Sequence, residues 1–249
     1  MTGLEEIWLM DTQVTDAGLM HLKGLAHLRV LWLTHTQVTD AGLVHLKCLT
    51  SLQQLWLNDT QVTDVGLAHL KDLGSLQYLC LNRTQISDSG LLQLQGLANL
   101  QTIELNQTQV TDDGLAHLKG VANLDAITLS DTEITDAGME YLQRLDRLRL
   151  LHLGNTRVTD AGLASLMGLS RLQSLSLSNT HVTDAGMAYL KRLPSLKRLS
   201  LRKTQVTDAG ILHLKGLTTL ESLSIEDTQV SDAGVVELNR ALPKLKIER

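Results

Sequence analysis

Five histidines, His21, His45, His69, His117 and His213, recur at multiples of 24 residues. Imidazoles stacked in one column are a pattern that can hold a transition metal. Zinc, however, needs about four ligands in a compact tetrahedron. Other copies carry Gln93, Tyr141, Ser165 and Tyr189 in the same slot, and no column of Cys or carboxylates runs beside it. The histidines therefore read as a solvated face with no metal site. Cys80 is the candidate nucleophile, but the nearest histidine in its column, His152, lies three copies further on. At the strand spacing of a sheet that is roughly 14 Å, whereas a nucleophile and its base must approach within roughly 3 Å.

Six basic residues, Lys191, Arg192, Lys197, Arg198, Arg202 and Lys203, have the composition of a phosphate-binding patch. One period later Lys197 meets Glu221, Arg202 meets Glu226 and Lys203 meets Asp227, so the cluster is offset by its neighbours. The formal net charge of −5 also argues against nucleic acid. No Gly-rich phosphate loop is present. The chain reads as a non-enzyme without a cofactor.

All these residues sit on one repeated element. Thr12, Thr36, Thr60, Thr84, Thr108, Thr132, Thr156, Thr180, Thr204 and Thr228 are each 24 residues apart, and around each runs LxxLxLxxTx[VI][ST]DxGxxxLxxL. LxxLxL alternates with period two and predicts a short strand. The Ser/Thr–Asp pair predicts a helix start, with the Asp accepting from the first free N–H groups. The helix, such as Ala41–Leu46, shows Leu43 and Leu46 on one face, and it closes at glycines such as Gly24, Gly96, Gly120 and Gly216. The Thr hydroxyls are expected to bond to adjacent turns, and the Gly18-type glycines to serve packing. One copy cannot bury its leucines alone, so neighbours must stack around one core.

This pattern resembles the leucine-rich repeat family over the whole chain. The 24-residue length looks like the simple bacterial arrays, and the TDxGL half looks like the cysteine-containing class known from F-box substrate receptors. The resemblance implies an α/β solenoid, a right-handed horseshoe with ten parallel strands on the concave face and short helices outside. It also implies a binding role in general terms. Residues 1–249 are read as a single domain, with no N-terminal cap in view and a C-terminal cap at about 235–249.

The strand alternation places one column on the concave face: Trp8, Trp32, Trp56, Cys80, Glu104, Thr128, His152, Ser176, Ser200 and Ser224. Flanking columns add Val30, Tyr78 and Met10. The chain has no Phe and only three Trp and three Tyr, so four of its six aromatics gather on one face of the first four copies. Adjacent rings at strand spacing can stack as a structural ladder. The alternative is a binding patch, since Trp and Tyr are enriched in interface hot spots. Asn58, Asn82 and Asn106 form a polar row beside it, while Ala126, Ser130, Ser174 and Ser178 leave the later floor small.

The preferred reading is a protein- or peptide-binding module using Trp8, Trp32, Trp56, Tyr78, Val30, Met10, Asn58 and Asn82. A structural scaffold that forms a homodimer through the N-terminal edge or the Trp patch is the alternative. A carbohydrate platform is a third reading. No apolar run reaches the roughly 18 residues of a membrane span, and no secretory leader is visible, which points to the cytoplasm. Cys48 and Cys80 cannot build a disulfide framework.

Overall fold

The computed structural model describes residues 3–249 and divides into two compact units, one ending at Leu124 and one beginning at Asp125. In the first, β1 (Glu6–Trp8), β2 (Val30–Trp32), β3 (Gln54–Trp56), β4 (Tyr78–Cys80) and β5 (Thr102–Glu104) pair in chain order, all parallel. In the second, β6 (Ala126–Thr128), β7 (Leu150–His152), β8 (Ser174–Ser176), β9 (Arg198–Ser200), β10 (Ser222–Ser224) and β11 (Lys246–Glu248) do the same. Each residue faces the one 24 positions on, as with Ile7, Leu31 and Leu55. The expected ten strands are therefore eleven. The eleventh arises because Lys246–Glu248, after the last helix, extends beside β10 and finishes the ladder.

Each strand points its central residue inward and the two flanking ones outward. Leu28, Leu31, Leu33, Val38, Leu43 and Leu46 are fully buried. Burial of such a side chain stabilises by about 1.5–3 kcal/mol, and the same columns recur in every internal repeat, so leucine supplies nearly the whole core. In the first repeat Ile7, Leu9 and Val14 are only half-buried.

The turn after each strand places a non-glycine residue in the left-handed region, His35 at φ 54° and Asp59 at φ 55° among them. The next residue is the repeated threonine. Thr36 Oγ1 donates to the Leu33 carbonyl at 2.7 Å, and Thr132 Oγ1 to that of Leu129 at 2.5 Å. The hydroxyl thus closes its own turn rather than bonding to an adjacent one, because the chain doubles back over the strand it has just left.

The helices also depart from expectation. The second is α-helical over Asp40–Leu43 and 3₁₀ over Val44–Leu46, since only one tight turn fits between the bend and the return. Gly24, at φ 90°, is the only glycine with positive φ among the described residues; Gly96, Gly120 and Gly216 end 3₁₀ segments without it.

Where a side chain caps a helix, it is the threonine or serine before the aspartate and not the aspartate itself. Thr39 Oγ1 accepts from the Ala41 N–H at 3.3 Å. The Asp carboxylate instead crosses to the next repeat. Asp16 accepts from the Thr39 N–H at 2.8 Å and from its hydroxyl at 2.7 Å. Asp40 does this for Thr63, Asp64 for Ser87, and Asp160 for Thr183. This bridge explains the glycine two residues after each Asp. A methyl group on Gly42 would collide with the Asp16 carboxylate oxygen, so the glycine leaves room for its neighbour's side chain.

Ion pairs join residues one period apart: the expected Lys197–Glu221 at 2.8 Å and Arg202–Glu226 at 2.6 Å, and also Arg29–Glu5 at 3.6 Å, His35–Asp11 at 2.8 Å, Arg83–Asp59 at 3.7 Å and Arg157–Glu133 at 2.5 Å. Lys203 forms no ion pair with Asp227, nor Arg149 with Asp125, among the described residues; Arg149 turns to Gln173 at 3.3 Å.

Candidate functional site

The outward residues of β1, β2 and β3 bring the three tryptophans together. Trp8 lies opposite Trp32, and Trp32 opposite Trp56. Their ring centroids are 5.6 and 4.2 Å apart, with planes inclined by 30° and 21°. The indoles therefore turn their faces to one another and their edges to solvent. Trp8, at the end, is 63% exposed, while Trp32 and Trp56 are half-buried by the stack.

The ladder then changes row. Opposite Trp56 stands Cys80, too small to continue it. Tyr78, two residues earlier on the same strand, leans over and puts its ring 4.2 Å from that of Trp56. Its hydroxyl donates to Glu104 Oε1 on β5. The thiol of Cys80 donates to Glu104 Oε2 at 3.3 Å, and Asn82 Nδ2 donates to the same oxygen at 2.7 Å and to the sulfur at 3.2 Å. One carboxylate thus receives three donors and anchors the end of the ring stack.

Cys80 is buried rather than displayed, its sulfur held between Glu104 and Asn82. Burial pushes its thiol well above the ordinary range; a hydrogen bond from the Asn82 backbone opposes this, and the Glu104 charge adds to it. Burial also raises the Tyr78 phenol, helped by its hydrogen bond to Glu104 and that carboxylate's charge. A nucleophilic cysteine needs its thiolate, and this surrounding works against forming one.

The remaining predicted residues divide. Val30 lies half-buried between Glu6 and Gln54 in register, and Met10 is half-buried two residues beyond Trp8. Asn58 accepts from the Thr34 hydroxyl at 2.9 Å. Asn82 is committed inside the cluster, and its Oδ1 also accepts from the Asn106 N–H at 2.8 Å. Its role is therefore positioning. Glu104 was missed as a site residue. Its signal was being the one carboxylate between Trp8 and Ser224 in the Trp column, a period after a residue too small to stack. Two further details set the electrostatics. Trp8 Nε1 donates to Glu6 Oε2 at 3.2 Å, and Trp56 Nε1 is buried without a hydrogen-bond partner among the described residues. Such an orphan donor costs about 1–3 kcal/mol.

Among the described residues no group of His, Cys, Asp and Glu could hold a metal ion, and no helix is long and apolar enough to cross a membrane. A family model described as a leucine-rich repeat region matches residues 4–247. The chain belongs to the leucine-rich repeat proteins. Leucine-rich repeat proteins commonly mediate protein interactions. Three similar solved structures come from bacteria. A leucine-rich repeat protein of Leptospira interrogans superposes with a TM-score of 0.75 at 20% identity, covering 100% of this chain and 61% of that one. An internalin (inlF) of Listeria monocytogenes gives 0.55 at 21% identity, covering 98% and 86%. A second Listeria internalin (inlC2) gives 0.55 at 28%, covering 94% and 84%. No curated protein sequence matches. The likenesses establish the α/β repeat fold of this leucine-rich repeat chain.

Proposed function

We propose that this chain is a non-catalytic binding module whose first unit takes a protein or peptide partner on the ladder Trp8–Trp32–Trp56–Tyr78. Val30, Met10 and Asn58 lie at the margin. The observation that carries the reading is a four-ring stack held on the outward face of a sheet, with its end ring 63% exposed. Rings fixed by their neighbours lose little side-chain freedom on binding, which lowers the entropic cost of association. Large aromatics are also the residues that most often dominate interface energy.

Ring orientation separates this from a sugar platform. A pyranose stacks on an aromatic face, and both faces of Trp32 and Trp56 are turned toward neighbouring rings. A partner meets ring edges along most of the ladder, which suits apolar side chains and carbonyl groups. Self-association through the β1 side is a second reading. It is favoured by Trp8, Leu4 and Met20, which are 63%, 40% and 50% exposed.

A peptide-display library selected on the wild-type chain tests the main reading. Enriched peptides should quench tryptophan fluorescence and lose binding to Trp8→Ser and Trp32→Ser variants that remain folded. Selected peptides that bind both variants as well as wild type would refute it. Sedimentation equilibrium tests the second reading, which requires a concentration-dependent mass that Trp8→Ser abolishes.

A further inference from the structure

The second unit carries a feature that the ladder does not use. Of the basic run Lys191–Lys203, Lys197 is paired with Glu221 and Arg202 with Glu226. Arg198, between them on β9, is exposed and forms no ion pair among the described residues. Its in-register neighbours are Ser174 on β8 and Ser222 on β10. Neither serine hydroxyl makes a hydrogen bond among the described residues, although Ser174 is only 8% exposed. Both serines and the guanidinium line one depression of about 270 Å³, with Ser176 and Ser200 on its floor. The Arg198 charge reaches Glu221, but that carboxylate is already paired with Lys197, so the guanidinium and the idle hydroxyls on both sides of it hold no acceptor of their own among the described residues.

We propose that this depression binds a carboxylate side chain of an acidic polypeptide segment. The guanidinium fork matches a carboxylate in two parallel hydrogen bonds, and the hydroxyls of Ser174 and Ser222 donate to the same oxygens. Lys246, facing Ser222 on β11, adds a second positive charge to the row, which holds no acid between Leu150 and Lys246.

The occupant's class follows from what surrounds the cation. A polyphosphate needs many cations; this row has two, in a chain of net charge −5. No aromatic ring lines the depression for an acidic sugar to stack on; its only imidazole is His152. The floor is small, so an extended backbone can lie close to the sheet. An adjoining depression of about 340 Å³ shares Ser176 and presents Arg202 and Lys203, while its amides are committed, Asn179 donating to Asn155 and Asn155 to Asp131.

The test is fluorescence anisotropy with the full chain and a fluorescein-labelled, end-blocked hexaglutamate peptide at low ionic strength. Saturable binding is expected, with hexaglutamine inert. Arg198→Gln should weaken it roughly tenfold or more, the loss of a charge-assisted hydrogen-bond pair, and Arg198→Lys should recover part of it. Ser222→Val should weaken binding while leaving the circular dichroism melt in place. Arg192→Gln, outside the depression, and Trp32→Ser, on the ladder, should bind the peptide as wild type does, so this site and the ladder succeed or fail separately. The proposal is overturned if hexaglutamate does not saturate the chain or if Arg198→Gln binds it unchanged. Displacement by trigalacturonate at lower concentration than by unlabelled hexaglutamate would also overturn it, assigning the site to an acidic glycan.

Discussion

The aspartate bridge makes a quantitative claim about two residues that look unrelated. Asp64 accepts from the Ser87 N–H at 2.8 Å and from its hydroxyl at 2.5 Å, and a methyl group on Gly90 would collide with the same carboxylate. Asp64→Ala removes two hydrogen bonds to a charged acceptor, each worth about 1.5–3 kcal/mol when buried. Both residues are half-buried, so solvent recovers part of this and about 2–3 kcal/mol remains. Gly90→Ala forces the carboxylate aside and should cost about 1–3 kcal/mol as overpacking, despite the better helix propensity of Ala. In the double variant the obstructing oxygen is gone. The nearest atoms to the added methyl are then the Ile86 and Leu67 side chains at 3.0 and 3.2 Å. The pair should therefore cost less than the sum of the singles by at least about 1 kcal/mol. Urea denaturation of the four proteins, followed by far-UV circular dichroism at constant m-value, measures the cycle. Additivity within about 0.5 kcal/mol would refute the idea that glycine is there to admit the neighbour's carboxylate.

Thr132→Val keeps volume but leaves the Leu129 carbonyl without its donor, so the melt should drop by about 1–3 kcal/mol; an unchanged midpoint would remove the threonine column from the list of stabilising groups. Trp32→Ser removes two stacking contacts of about 0.5–1.5 kcal/mol each, and urea unfolding should show it, with a smaller loss for Trp8→Ser, which has one neighbour. The raised Tyr78 and Cys80 groups predict a loss of stability in alkali. Both are neutral in the folded and unfolded chain below their ordinary values, 9.0 for the thiol and 10.0 for the phenol. Above these the unfolded chain ionises first, so stability present at neutral pH declines as pH rises through that window. Cys80→Ser should delay the onset, and a melt as steady at pH 10.5 as at pH 7 would contradict the geometry around Glu104.

Much of this was open to inspection in the chain itself. A period of 24 fixes which residues lie opposite one another, so the tryptophan column and six ion pairs follow by counting. Counting fails where a side chain leaves its column. Tyr78 crosses rows because Cys80 is small, and only three-dimensional volume reveals that its hydroxyl then reaches Glu104. Asp16 and its equivalents were misread for a related reason. A Thr–Asp pair next to a helix has a local explanation as a cap, and nothing in one copy indicates that the carboxylate serves a residue 23 positions away. The eleventh strand was hidden because Leu242 and Leu245 fall 25 positions after Leu217 and Leu220, off the 24-residue period that Ile247 keeps with Leu223.

That reach of 23 positions has a consequence for how such a chain lengthens and shortens. The hydrogen-bonded unit begins at one aspartate and closes on the next hydroxyl, so it does not coincide with any single copy of the written motif. Deleting or duplicating 24 residues from any starting point rejoins an aspartate to an equivalent threonine or serine, with a glycine waiting two or three residues beyond. The joint needs no design of its own. Recombination between misaligned copies within either unit can therefore alter the number of turns without creating a defective seam, whereas a single inserted residue between an aspartate and its acceptor pair breaks the join at once.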